Sequence, residues 1–162
     1  MKYLITTIAA VVLVGCEAQP PDISIHEAAN NGNVEAVKQH LADGADVNRK
    51  DDEGYTPLHY AVQSHLIAGS EDQPNKKIAE LLIAESADVN GNNFAPPLGI
   101  AAREGHEGIV KLLIAKGANL NAVGPNGETP LTLAAMNGHK EIADLLRKHG
   151  AKKTEELKAE GN

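Results

Sequence analysis

A spacing of 33 residues recurs along this chain of 162 residues and limits the folds open to it. Three pairs of matching dipeptides lie 33 positions apart: Ile25-His26 with Leu58-His59, Pro97-Leu98 with Pro130-Leu131, and Gly117-Ala118 with Gly150-Ala151. Such a period is typical of stacked units, each of which cannot bury its apolar face without a neighbour. Aromatic residues make up only 2% of the chain, which favours thin helices over a sandwich or an open sheet. The period therefore predicts a repeat solenoid.

Within each unit, the residue pattern predicts two short helices. Thr56 and Thr129 can accept a hydrogen bond at a helix start, and each precedes a proline, which is tolerated at the first helical position. Small residues that let neighbouring first helices approach closely recur as Ala28-Ala29, Ala61-Val62, Ala101-Ala102 and Ala134-Ala135. The second helices end at a glycine suited to the left-handed conformation: Gly44, Gly117 and Gly150.

These motifs resemble the ankyrin repeat. Residues 55–61 (Tyr-Thr-Pro-Leu-His-Tyr-Ala) match its Thr-Pro-Leu-His-x-Ala signature, and residues 128–134 (Glu-Thr-Pro-Leu-Thr-Leu-Ala) are a second copy. Residues 96–101 (Pro-Pro-Leu-Gly-Ile-Ala) form a degenerate third copy. The resemblance covers about residues 24–152 and implies an all-α solenoid of four helix-turn-helix repeats with short β-hairpin fingers. We place the repeats at about 24–52, 53–94, 95–124 and 125–152, followed by a charged tail at 153–162 that continues the last helix briefly.

Two departures from the ankyrin pattern are predicted to change the stack locally. The second repeat carries nine extra residues between its helices, which we place within 65–75 as an extension of the first helix followed by a loop. The next finger is two residues shorter than the others. Ser86 stands where other repeats have a glycine, so we expect a left-handed serine at a cost of about 1 kcal/mol.

The first residues predict an export signal with a lipid anchor. Lys2 precedes an apolar run at 4–14 that is too short to span a bilayer, as is typical of a signal peptide. The segment 13–16 (Leu-Val-Gly-Cys) resembles the lipobox of bacterial lipoproteins, which implies a signal peptide at 1–15, lipid attachment at Cys16 and a tether at 16–23. Glu17 rather than Asp after the cysteine implies the outer membrane, facing the periplasm. The alternative is an ordinary signal peptide with an incidental cysteine.

The residues that usually carry chemistry do not form a catalytic or metal-binding pattern. Two His-Glu pairs, at His26 and His106, begin like a zinc-protease motif but lack the second histidine one turn later. The resemblance implies that His26 and His59 tie neighbouring turns together, and that His106 and His139 are framework residues. The remaining histidines stand alone in the sequence: His40, His65 and His149. We expect no cofactor, no metal and no catalytic residue.

The resemblance also implies a partner-binding surface made of finger tips and exposed inner-helix positions. Carried over position by position, the finger residues are Asp52, Glu53, Tyr55, Asn93, Ala95, Asn126 and Glu128, and the inner-helix residues are Asn30, Asn31, Gln63, Ser64, Arg103, Glu104, Met136 and Asn137. Tyrosine is enriched at binding hot spots, so Tyr55 is the strongest candidate, unless it only covers the finger base. Tyr60 is expected to pack and Phe94 to fill space under the short finger. The acidic tip at 51–53 is either a contact or a solvated turn.

The function predicted from these features is binding rather than catalysis. A formal charge of −7 argues against nucleic acid and favours a basic or mixed-charge protein partner. We expect a monomer on the membrane surface that binds one specific protein. An alternative is an immunity or inhibitor protein against a periplasmic toxin or hydrolase. Another is a helper of an exported stress enzyme such as a catalase.

Overall fold

The computed structural model describes residues 23–63, 74–91 and 95–160. These ranges contain nine helices, with bounds α1 (Ile25–Asn30), α2 (Val34–Ala42), α3 (Pro57–Gln63), α4 (Pro74–Ala84), α5 (Pro97–Glu104), α6 (Glu107–Ala115), α7 (Pro130–Met136), α8 (Lys140–Lys148) and α9 (Thr154–Glu160). The predicted all-α repeat fold is thereby confirmed. The predicted signal peptide, Cys16, Ser64, His65, Asn93, Phe94 and most of the insert lie outside the described residues.

The first eight helices form two layers, because each repeat contributes one inner and one outer helix. The inner helices α1, α3, α5 and α7 pack in series, and the outer helices α2, α4, α6 and α8 pack behind them. Ala28, Ala61, Ala101 and Ala134 are fully buried, so the small side chains allow the close helix approach predicted from the sequence. No helix within the described ranges is both long enough and apolar enough to cross a bilayer.

The alanine pair of the last repeat differs from the other three. Ala29, Val62 and Ala102 are fully buried, whereas Ala135 is exposed. The inner helices α1, α3 and α5 are each followed by another inner helix that packs on them. Within the described residues α7 has no such successor, so the outward side of Ala135 is uncovered.

Local capping agrees with the prediction at Thr129 but not at Thr56. The Thr129 hydroxyl accepts a hydrogen bond from the Thr132 amide, as expected of a helix cap. The Thr56 hydroxyl is instead used by a histidine, described below. Ser86 has a φ of +70° and is the only non-glycine residue with positive φ among those described, which confirms the expected left-handed serine.

The fingers are tight hydrogen-bonded turns, and no strand is assigned within the described ranges. In the first finger the Asp51 amide donates to the Tyr55 carbonyl at 3.0 Å. In the third, the Gly124 amide donates to the Glu128 carbonyl at 2.9 Å. Each turn therefore has the start of a hairpin ladder but extends no further.

A row of asparagines holds successive repeats in register. The side-chain oxygens of three equivalent residues accept hydrogen bonds from backbone amides one repeat further on: Asn48 from Asp88 at 2.8 Å, Asn90 from Asn119 at 2.7 Å, and Asn121 from Lys152 at 2.8 Å. These bonds join one repeat to the next without bulky side chains. The donor of the third bond, Lys152, lies at the start of the tail, so the tail is joined to the last repeat in the same way.

The tail differs from the sequence prediction, because it does not continue the last helix. Helix α8 ends at Lys148, and a separate helix α9 begins at Thr154. The Thr154 amide donates to the Thr132 hydroxyl at 3.0 Å, and its own hydroxyl donates to the Gly127 carbonyl at 3.0 Å. The chain turns at Gly150, which has a φ of +91°, and residues 152–154 then lie against the last repeat.

The described part of the insert also corrects the prediction. Helix α4 begins at Pro74, so Pro74 and Asn75 belong to the second helix rather than to the predicted loop. Asn75 is fully buried beneath that helix start.

Candidate protein-binding surface

A groove of about 190 Å³ runs along the concave face where the inner helices meet the fingers. Six of the predicted finger and inner-helix residues line it: Tyr55, Gln63, Ala95, Arg103, Asn126 and Glu128. The groove spans the second, third and fourth repeats. Residues from separate fingers and helices are thus brought to one surface.

The floor of the groove is apolar and the rim is polar. Ile100 is buried and Leu133 is half-buried, and both contribute to the floor beside Pro96. Gly99 of α5 also lines the groove and adds no side chain there. Ile100, Leu133, Pro96 and Gly99 were not among the predicted contacts, although the glycine in the degenerate third motif is visible in the sequence.

Arg103 and Glu104 form an ion pair at the edge of the groove. The Arg103 Nε donates to Glu104 Oε1 at 2.8 Å, and the Glu104 side chain is only 17% exposed. His139 Nε2 donates to the Arg103 carbonyl at 2.9 Å, which fixes the end of α5. The Arg103 side chain is 45% exposed and paired with Glu104 through Nε, and its planar fork of donors is well suited to carboxylate or carbonyl groups.

Asp51 organises the first finger, a role that the sequence did not reveal. Its Oδ1 accepts from the amides of Glu53 (3.0 Å) and Tyr55 (2.8 Å), and its Oδ2 accepts from the Tyr60 hydroxyl at 2.7 Å. Desolvation opposes ionisation of Asp51, but these hydrogen bonds outweigh it and hold its pKa below the ordinary value. The bond to Asp51 raises the pKa of Tyr60 to about 12. Only Asp52 and Glu53 remain as exposed acids at the tip.

Tyr55 both covers the finger base and lines the groove. Its ring lies edge-on to the His59 ring, with centroids 5.4 Å apart, and to the Tyr60 ring at 6.2 Å. Tyr60 in turn lies edge-on to His26 at 5.8 Å, as expected of a packing residue. The two interpretations of Tyr55 are therefore compatible, since one face packs while the residue remains half-buried at the groove.

His59 links the second repeat to the next one. Its ring is fully buried; Nδ1 accepts from the Thr56 amide at 3.0 Å and from the Thr56 hydroxyl at 2.7 Å, while Nε2 donates to the Ala95 carbonyl at 2.9 Å. Burial disfavours the charged imidazolium and lowers the pKa of His59. His26 makes the analogous bond to the Arg49 carbonyl at 2.8 Å. These contacts are the structural roles predicted for both residues.

Two histidines that stand alone in the sequence have backbone partners in the fold. His40 Nε2 donates to the Ile23 carbonyl at 2.7 Å, and His149 Nδ1 donates to the Leu145 carbonyl at 2.9 Å. His40 thus fixes the point at which the predicted tether enters the domain. Across the described ranges, no three His, Cys, Asp or Glu side chains gather into a group that could hold a metal ion.

Among the predicted contacts that the structure describes, Met136 and Asn137 do not line the groove. Met136 is 70% exposed at the end of α7, the most exposed large apolar side chain among the described residues. The neighbouring Asn137 side chain donates to the Leu133 carbonyl at 2.8 Å, so it serves its own helix.

Comparisons with known proteins agree with this architecture. A sequence family described as ankyrin repeats (3 copies) matches residues 8–93 and again residues 65–156, so the match begins within the predicted signal peptide. Neurogenic locus notch homolog protein 2 of Homo sapiens is 33% identical over 108 residues, which are 67% of this chain and 4% of that protein.

Two other similar proteins cover less of this chain. Protein phosphatase 1 regulatory subunit 27 of Homo sapiens is 40% identical over 70 residues, 43% of this chain and 40% of that protein. The mitochondrial disaggregase of Homo sapiens is 31% identical over 102 residues, 60% of this chain and 13% of that protein. The chain spans well under two thirds of the length of each of these relatives. It belongs to the ankyrin-repeat family, whose repeats are protein–protein interaction modules.

Proposed function

We propose that this protein is a membrane-anchored lipoprotein that binds one specific protein partner through its concave face, on the periplasmic side. The observation that carries the proposal is the groove across three repeats, with its apolar floor and polar rim. Stable protein interfaces commonly combine a buried apolar centre with a polar surround. The groove offers both on a surface that the fold already holds in shape.

The side chains around the groove are pre-ordered, which favours binding. Tyr55 is packed against His59, and Arg103 is paired with Glu104 before any partner arrives. Side chains that are already fixed lose little conformational entropy on association. We therefore assign Tyr55 and Arg103 as the principal contacts, with Met136 as a peripheral apolar contact.

Charge favours a basic or mixed-charge partner. The chain carries a formal charge of −7, and the exposed acids Asp52 and Glu53 lie at the tip of the first finger. Complementary charge raises the rate of encounter and excludes wrong partners more than it raises affinity. No catalytic step is part of the proposal.

The anchor is proposed from the sequence of the first residues. An apolar run follows Lys2, and Cys16 follows a small residue, as in a lipobox. Two or three acyl chains would anchor the protein stably, whereas one would not. A tether at 16–23 can extend roughly 25 Å, so the repeats would stay close to the membrane surface.

Capture experiments with the full lipidated chain test the binding proposal. The double variant Tyr55→Ala with Arg103→Ala is compared with wild type and with Arg147→Ala. Arg147 is a matched control, because it is an exposed arginine of α8 paired with Asp144 at 3.0 Å, away from the groove. We expect one protein to be recovered by wild type and Arg147→Ala and lost by the double variant. Recovery that ignores the double change would contradict the concave-face proposal.

Mass spectrometry of the mature N-terminus tests the anchor. We expect a peptide that begins at Cys16 and carries diacylglycerol, with the protein in the membrane fraction. Cys16→Ser should remove the lipid mass and release the protein from the membrane. An unmodified N-terminus at another residue would show an ordinary signal peptide instead.

A further inference from the structure

The third repeat lacks a side chain that the other repeats use to join their neighbours. Gly99 follows Leu98 just as His59 follows Leu58, so the two residues occupy equivalent positions. The equivalent residues of the first and fourth repeats are His26 and Thr132.

In the other repeats, this side chain bonds to the segment that leads onward. His26 donates to the Arg49 carbonyl at 2.8 Å, and His59 donates to the Ala95 carbonyl at 2.9 Å. The Thr132 hydroxyl accepts from the Thr154 amide at 3.0 Å. Gly99 has no side chain with which to make such a bond.

His26 and His59 reach carbonyls at different finger positions, and the second finger is two residues shorter than the first and third. The finger after Gly99 has the length of the one after His26, so the carbonyl to compare is the one that His26 uses, and its counterpart lies in the groove. Ala122 follows Asn121 of the asparagine row as Arg49 follows Asn48, so its carbonyl is the counterpart of the one His26 uses. Ala122 and Gly99 both line the groove. Among the hydrogen bonds of the described residues, none is donated to the Ala122 carbonyl.

The space beside Gly99 has room for a side chain. A Cβ built on Gly99 would meet only Leu133 Cδ1 within 4 Å, at 3.4 Å, an ordinary contact distance. Leu133 stands where Tyr60 stands one repeat after His26, and the rings of His26 and Tyr60 pack edge-on. An apolar wall and a carbonyl acceptor therefore remain where the other repeats hold a side chain.

We infer that this pocket receives an imidazole or indole ring from the partner protein, a histidine or tryptophan side chain whose N–H donates to the Ala122 carbonyl. The inference rests on the proposed protein-binding function and names the chemistry that the groove selects. The Tyr55 ring offers an edge-to-face contact for an incoming ring. Arg103 and Glu128, of opposite charge, both line the groove, so the apolar wall at Leu133, rather than charge, favours a ring over a lysine ammonium.

Small probes test the pocket without the partner. The full lipidated chain in lipid nanodiscs is labelled with ¹⁵N and titrated with imidazole and with 1-methylimidazole, at about pH 8 so that the rings are mostly neutral. We expect saturable shifts of the Gly99, Ala122 and Leu133 amides with imidazole. Binding of 1-methylimidazole, which lacks the N–H, should be about fivefold weaker. Equal binding of the two probes, or no shift at these amides, overturns the inference.

A cationic probe separates the ring from a lysine-like occupant. n-Butylammonium has an apolar stem and a charged donor but no ring. We expect it to bind more weakly than imidazole, because it has no ring to pack against Leu133 and Tyr55. Tighter binding of n-butylammonium would assign the pocket to a lysine and overturn the inference.

Filling the pocket from within gives a second, independent test. Gly99→His should supply the ring in place, abolish the imidazole shifts and raise the Tm. Gly108→His is the matched control, since Gly108 is an exposed helical glycine of α6 whose Cβ would meet only the Lys76 side chain. The control should retain imidazole binding. If Gly99→His fails to fold, Gly99→Ala, which narrows the pocket without filling it, should still bind imidazole, and loss of binding would count against the inference.

The capture experiment separates failure of this inference from failure of the proposed function. Gly99→His should lose the partner just as the Tyr55 and Arg103 double variant does. If the double variant loses the partner while Gly99→His keeps it, the concave-face function stands and the ring pocket is wrong. If imidazole binds at Gly99 but no partner is captured, the pocket chemistry stands and the proposed function fails.

Discussion

At the scale of single residues, the buried His59 and the half-buried Asp51 hold the turns at the base of the fingers. His59 accepts a hydrogen bond from the Thr56 amide and donates one to the Ala95 carbonyl. The Asp51 carboxylate accepts hydrogen bonds from two amides and one hydroxyl. The sequence predicted the role of His59, because the ring sits in a signature motif. It did not predict that of Asp51, because a carboxylate at a turn tip is also compatible with simple solvation. Only the folded turn of the finger places the Asp51 carboxylate next to the Tyr60 hydroxyl.

Stability should fall as the pH drops below the pKa of an ordinary histidine, because His59 is buried. Burial lowers its pKa in the folded state, so the unfolded chain takes up the proton first. The unfolded state binds more protons from about pH 6.5 downward, and stability is lost through that window until the folded pKa is reached. Urea unfolding between about pH 8 and pH 5 measures this slope.

The variant His59→Gln should be less stable but should lose that part of the pH dependence. The exposed residue His149 gives the control, and His149→Gln should keep the wild-type slope. An unchanged slope in His59→Gln would show that another group is responsible for the pH dependence.

At the scale of elements, small residues and left-handed positions set how the helices join. Ser86 occupies the left-handed position that Gly117 occupies in the next repeat. The substitution of serine for glycine was enough to predict this strain, because the repeat register demands one backbone conformation there. The separate helix α9 was not predictable in this way, because its residues form no apolar stripe. None of them is buried in the structure.

Reciprocal exchanges test the cost of the left-handed serine. Ser86→Gly should raise the free energy of unfolding by up to about 1 kcal/mol, because glycine adopts positive φ without strain. Gly117→Ser should lower it by about the same amount. Gly117 has a φ of +83° and nothing within 4 Å of a built Cβ, so its change reports conformation alone. Denaturant unfolding of both variants measures the two values, and changes of the same sign would refute the argument.

The close contact between inner helices can be tested by overpacking. Ala101→Leu places a large side chain at a fully buried position and should cost about 1–3 kcal/mol, with a Tm lower by several degrees. Ala135→Leu on α7 adds the same atoms at an exposed position and should change the Tm little. Thermal unfolding followed by circular dichroism compares the pair, and an equal Tm for Ala101→Leu and wild type would reject the predicted register.

At the scale of the whole molecule, the start of the tail is hydrogen-bonded to the last repeat. The Lys152 amide donates the last hydrogen bond of the asparagine row, to Asn121. Thr154 bonds to Thr132 and Gly127. Residues 152–154 therefore supply the last described repeat with backbone and hydroxyl partners.

Removing the Thr154 hydroxyl tests this capping. Thr154→Val keeps the shape but loses the hydroxyl bonds to Gly127 and to the Thr129 amide. We expect a loss of about 1–3 kcal/mol and faster hydrogen exchange at the Thr129 amide. Thr154→Ser retains the hydroxyl and should stay close to wild type. Unchanged exchange at Thr129 in Thr154→Val would mean that the tail is not a cap.

The sequence by itself determined the repeat architecture, because a fixed period with small, capping and left-handed residues in register is compatible with one way of stacking. It also pointed to Tyr55, Arg103 and Glu128, because the repeat fixes which positions face the concave side. Tertiary structure alone decided which of the predicted contacts share a groove and which, like Asn137, serve their own helix. It also decided what the glycine at position 99 means. An absent side chain becomes a pocket only when the next finger and the next helix close around it.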